Sequence, residues 1–111
     1  MDADQALRPA AGAVTIEFEE PDRAVLCLRG DVDTGVATRF ATARRRDRVV
    51  VDAIDAGAVS FISSSGLALM LMCAEASAAA GRHPVLLAAS HQVERALQLA
   101  GIDGLFARPA G

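Results

Sequence analysis

A chain of 111 residues with 52% hydrophobic content has room for one core and not two. Folding at this size buries roughly two thirds of the surface that the unfolded chain exposes, so neither a metal nor a disulfide staple is required. A net charge of -3 excludes a phosphate-backbone binder, which needs a basic face to displace counterions, and no direct nucleic-acid partner is expected.

Residues 1 to 13, rich in Ala with Pro9 and Gly12, show no apolar period and are expected to form a loose leader before a single domain over 14–111. The start Met1-Asp2-Ala3-Asp4 lacks the positive n-region of a secretory signal. The longest apolar stretch, Val59 to Ala74, is broken by serines and a glycine, so a cytoplasmic protein without membrane insertion is expected. From Val14 the pattern alternates, Val14, Ile16 and Phe18 against Thr15, Glu17 and Glu19, which predicts a strand with one wet face. Pro21-Asp22 supplies a turn, and the apolar run Ala24 to Leu28 predicts a second strand closing a hairpin.

Asp33 or Thr34 is placed to cap a helix in which Val36, Ala37, Phe40, Ala41 and Ala43 recur at helical spacing. The run Arg44, Arg45, Arg46 and Arg48 falls at the end of that helix, where cations complement the negative end of the dipole. Val49-Val50-Val51 predicts a strand buried on both faces, with Asp52 to Ala58 as a connection in which Asp52 and Asp55 are loop residues. Ser63, Ser64 or Ser65 is the natural cap of a second helix that runs to Ala80, with Gly81 past its end. Apolar on most sides, that helix is expected to be largely buried. Pro84 to Ala89 predicts a last strand, Ser90 caps a third helix striped by Val93, Leu97 and Ala100, and Ile102, Leu105 and Phe106 should fold back onto the core. The order β-β-α-β-α-β-α predicts an α/β domain, a mixed sheet of about four strands backed by helices.

The chemistry concentrates in Ile62-Ser63-Ser64-Ser65-Gly66-Leu67, where small hydroxyls stand between an apolar approach and an apolar helix. Small side chains there leave the amides of the helix start accessible, and those amides with the dipole tolerate an anion, including a phosphate attached to a serine. Simple capping explains the same residues. A hydrolase arrangement, with Ser64 as nucleophile and His83 or His91 as base, lacks the flanking glycine at two-residue spacing, because position 62 is Ile. Cys27 and Cys73, far apart and matching no metal-ligand spacing, are expected as buried free thiols, and no metal or cofactor is expected.

Phe61-Ile62-Ser63-Ser64-Ser65-Gly66-Leu67 resembles the switch segment of STAS-domain anti-sigma factor antagonists. The resemblance runs over roughly Val14 to Phe106 and includes Gly30-Asp31-Val32-Asp33, Val50-Val51-Asp52 and Leu97 to Phe106. It implies a STAS-like fold and a non-enzymatic binding module that docks onto an anti-sigma factor with serine-kinase activity and so releases a sigma factor. It further implies that Ser64 matches the phosphoacceptor, with Ser63 and Ser65 as alternatives, and that Asp31, Asp33, Ser63, Ser64, Ser65, Gly66 and Leu67 face the partner. The departure is Ser63, where the family generally has Asp. The alternative implied by the same resemblance is a constitutive STAS subunit of a lipid-transport ABC system or a stress-signalling complex.

Overall fold

The computed structural model describes residues 11–44 and 49–109. Four strands form one mixed sheet in the order β1 (Ala13–Glu19), β2 (Arg23–Val32), β3 (Ala53–Ile62) and β4 (Val85–Ala89). β1 runs antiparallel to β2, as the hairpin requires, while β2, β3 and β4 are mutually parallel. The parallel strands are joined through α1 (Thr34–Arg44) and α2 (Ser64–Ala79); α3 (His91–Ala100) and a short 3-10 turn (Asp103–Leu105) follow β4. The expected element order and fold class therefore stand.

Registration explains which side chains reach the core. Val14 lies opposite Leu28, Ile16 opposite Leu26 and Phe18 opposite Ala24, and the row continues through Ile54 and Leu86. Leu26, Leu28, Ile54 and Leu86 meet Phe40 of α1, Met70 and Cys73 of α2, and Val93 and Leu97 of α3 in a single core. Fully buried Ala53 and Ala56 in the central strand leave space for closely packed neighbours.

The third strand departs from the sequence reading. It is not Val49-Val50-Val51 but the Ala-, Gly- and Ser-containing run Ala53–Ile62, so the expected connection at 52–58 is mostly strand. Val51 is fully buried, yet its N–H donates to the Ser77 hydroxyl at 2.8 Å and not to a ladder. The ladder begins at Asp52, whose N–H donates to the Ala24 carbonyl at 2.8 Å. Strand position here is decided by the partners on both sides, which override the β preference of the valines.

Other expectations need smaller corrections. β2 continues four residues past Leu28, to Val32. Phe18 is exposed because β1 is the sheet edge and α1 does not cover its far end. α2 buries one stripe, Gly66, Leu69, Met70, Cys73 and Ser77, while Met72 on its outer side remains 66% exposed. Phe106 packs into the core, but Leu105 is 61% exposed. Ala107 pairs with Val85 and covers the outer edge of β4, with Arg108 bonded to Glu94 at 2.6 Å. Residues 1–10 of the expected leader and Arg45, Arg46 and Arg48 lie outside the described residues, whereas Ala11 already pairs with Asp31 and Ala13 begins β1.

Candidate functional site

The carboxyl ends of β2 and β3 and the amino ends of α1 and α2 meet at one rim of the sheet. Val32 and Ile62 are cross-strand partners, and the Ser63 N–H donates to the Val32 carbonyl at 2.9 Å, so both strands pass into their helices side by side. Each helix is capped by its preceding residue. An Asp33 carboxylate oxygen accepts from the Val36 N–H at 2.8 Å, and the Ser63 hydroxyl accepts from the Gly66 N–H at 3.1 Å. These are the N-cap geometries that short polar side chains adopt. The Ser65 hydroxyl donates to the Thr34 hydroxyl at 3.5 Å, a long contact that links the two helix starts.

Gly66 is needed here for space. A Cβ at that position would stand 2.7 Å from Cγ1 of Ile62 and 3.1 Å from Cγ1 of Val32. Its absence lets the first turn of α2 settle on the strand ends and brings the serines to the rim.

The three serines differ in what remains available to an outside group. Ser63 is half-buried and spends its hydroxyl as the cap. Ser65 is half-buried and shares its hydroxyl with Thr34. Ser64, the first residue of α2, is exposed and its hydroxyl makes no hydrogen bond among the described residues. Leu67 is half-buried beside them, and Phe61, just before the loop, is 51% exposed. With Asp at position 63 the cap would remain, since Asp and Ser cap alike, so the serine found there preserves the helix start while removing a charge.

The two aspartates behave differently from one another. Asp33 is exposed, and its cap bond uses one carboxylate oxygen. Asp31 is half-buried: its Oδ1 is buried and has no hydrogen-bond partner among the described residues. A buried acceptor without a donor is costly, and a donor brought by another molecule would relieve that cost. Sequence reasoning missed this feature because it arises from the approach of Ala11 and the neighbouring strand, which no local pattern announces.

Residues outside the rim carry structural duties. Asp52 accepts from the Ala24 N–H at 2.8 Å and from Arg82 at 3.0 Å, so it is a tie between chain segments and not a free loop carboxylate. Asp55 lies within β3 and accepts from the Gly57 N–H. His83 and His91 are exposed and bond to none of the loop serines among the described residues. No group of three or more His, Cys, Asp or Glu that could hold a metal occurs among the described residues. Cys73 is buried, but Cys27 is only half-buried, on the sheet face opposite the helices. Burial pushes both thiols up to about 11, and for Cys27 the neighbouring Glu17 and Asp55 add to the effect.

A family model described as the STAS domain matches residues 15–109. Among solved structures, the chain is similar to the anti-sigma factor antagonist SpoIIAA in its unphosphorylated form, at 22% identity and a TM-score of 0.67, over 88% of this chain and 89% of that one. It is also similar to an anti-sigma factor antagonist from Mycobacterium paratuberculosis, at 22% identity and a TM-score of 0.69, over 90% of this chain and 87% of that one. No curated protein matches the sequence. No helix among the described residues is long and apolar enough to cross a membrane.

Proposed function

The chain belongs to the STAS domain family, and from that premise we propose that it is a cytoplasmic anti-sigma factor antagonist whose docking is switched off by phosphorylation of Ser64. The partner is an anti-sigma factor with serine-kinase activity, and docking releases a sigma factor. The observation that carries the reading is the contrast within the serine triplet: Ser64 alone combines exposure with a hydroxyl that no neighbour among the described residues uses.

The mechanism follows from charge and bulk. Phosphorylation adds about -1.5 to -2 charges and three acceptor oxygens at neutral pH. At the first residue of α2, with the start of α1 alongside, that charge faces the positive ends of two helix dipoles, so it leaves the fold intact. The docking surface is what changes. A partner fitted to a hydroxyl meets a bulky, strongly hydrated anion, while Asp31 and Asp33 on the same rim, with Ser63, Ser65, Gly66 and Leu67, make the contacts that phosphorylation disturbs. The buried, unpartnered oxygen of Asp31 supports a role in accepting a donor from the partner.

The test is co-purification of the full chain with its partner, followed by incubation with ATP and location of the phosphate by mass spectrometry. We expect phosphate on Ser64, undiminished binding by Ser64→Ala, and at least about tenfold weaker binding by Ser64→Glu, a change of about 1.4 kcal/mol. Phosphate on Ser63 or Ser65 alone moves the acceptor. Tight binding by Ser64→Glu removes the switch and leaves a constitutive interaction subunit.

A further inference from the structure

The β1 edge of the sheet carries three features that the switch does not use. Phe18 is 80% exposed although it points to the helix side of the sheet, where its neighbours in the same row, Ile16 opposite Leu26 and Val14 opposite Leu28, join the core. A cleft of about 500 Å³ lies between β1 and α1, lined by Val14, Ile16, Val36, Arg39, Phe40 and Arg44. Its wall also takes in Ala13 and Thr15, so consecutive residues of β1 border it and the cleft opens around the backbone edge of the strand. That edge is unpaired, because β1 hydrogen-bonds only to β2 among the described residues. Unpaired strand edges are templates for another strand, and an exposed apolar side chain beside one strengthens the template.

We infer that this edge is a self-association surface, on which a second copy of the chain pairs β1 to β1 antiparallel about a two-fold axis at Ile16, and Phe18 of each copy fills the cleft of the other. Residues directly opposite in an antiparallel pair share one side of the sheet. With Ile16 on the axis, Phe18 stands opposite Val14 of the second copy, whose side chain lines the cleft. The ring then joins Phe40, over which the Arg44 guanidinium already sits at 5.4 Å. On the other side Thr15 faces Glu17 and Ala13 faces Glu19, so no like charges stand directly opposite. The adjacent registers are worse. An axis at Glu17 sets that carboxylate against itself, which is destabilising, and an axis at Thr15 places Phe18 against Gly12, with no side chain to pack on. The surface is thus self-complementary, as a two-fold contact requires, and it joins two four-stranded sheets into one. It lies at the sheet edge, away from the start of α2, so it stands whether or not Ser64 is a switch.

The experiment is sedimentation velocity of the full chain from micromolar to near-millimolar concentration, beside Phe18→Asp and Ile16→Cys. We expect a reversible dimer in the wild type and at least about tenfold weaker dimerisation in Phe18→Asp, with an unchanged melting curve at dilutions where both are monomeric, because the ring is exposed in the single chain. Ile16→Cys, on the axis, should form a disulfide-linked dimer on mild oxidation, whereas Glu19→Cys, at the end of the strand, should not. A wild type that is monomeric throughout overturns the inference, as does a dimer that Phe18→Asp leaves equally strong. A dimer that appears only after removal of residues 1–10 assigns the cleft to that segment and also overturns it.

Discussion

The two ends of α2 are both built around serine, and they use it in opposite ways. Near the carboxyl end, Ser77 is completely buried; its hydroxyl accepts from the Val51 N–H at 2.8 Å and donates to the Cys73 carbonyl at 2.6 Å. At the amino end, Ser64 is exposed and its hydroxyl bonds to nothing among the described residues. One hydroxyl closes the gap between a helix and a chain segment 26 positions away, and the other is left addressable. The lesson is that a serine's role is set by how many of its hydrogen-bonding functions the backbone has already taken.

Ser77→Ala tests the closed end and should have the largest effect. It leaves the fully buried Val51 N–H without an acceptor, which costs about 1–3 kcal/mol. Thermal melts should show a fall of roughly 4–8 °C per kcal/mol for a domain of about this size. Ser64→Ala in the same melts should change little, and an equal loss from both variants would erase the distinction between the two ends.

The open end is sharpened by Ser63. Ser63→Ala removes the cap of α2 and should cost about 1 kcal/mol in urea unfolding, whereas Ser63→Asp should restore the wild-type midpoint because aspartate caps equally well. If Ser63→Asp were as damaging as Ser63→Ala, the bond to the Gly66 N–H would not be what holds the helix start.

A change of pH tests the same buried stripe through Cys73, one turn before Ser77. Burial holds the Cys73 and Cys27 thiols at about 11 against an ordinary 9.0, so folding favours their protonated forms. The sign follows directly: the contribution to stability is complete below pH 9 and is lost as pH rises toward 11. The chain contains neither Lys nor Tyr, so no other side-chain type ordinarily titrates in that window. Unfolding midpoints should decline across it, with both thiols slow to label at neutral pH. Flat midpoints from pH 9 to 11 would contradict the burial argument.

Much of this was legible in the sequence where the determinant is local. Asp33, Ser63 and Ser90 each precede a helix and each accepts from an N–H three residues on, because capping depends on a single short side chain. Gly81 and Gly101, with φ of 82° and 72°, end helices where a left-handed residue is needed. The hairpin follows equally well from alternation about a turn. What could not be read was what two distant segments decide together. Val49-Val50-Val51 has the composition of a strand, but the parallel partners select Ala53–Ile62. The apolar surroundings of Met72 gave no sign of which side of α2 would face water. At the rim, the serines and Asp33 were visible as a group, while the unpartnered oxygen of Asp31 was not.

Asp52 has a consequence for how the chain reaches this fold. Its carboxylate binds the Ala24 N–H 28 positions back and Arg82 30 positions ahead, and its carbonyl accepts from the Val85 N–H. One residue therefore closes two long loops at the same point, the start of β2 on one side and the start of β4 on the other. Loop closure costs entropy that rises only slowly with length, but it must be met before non-local strand pairs stabilise anything. Asp52 thus ties β3 to both of its parallel neighbours at one point, the place where both registers begin.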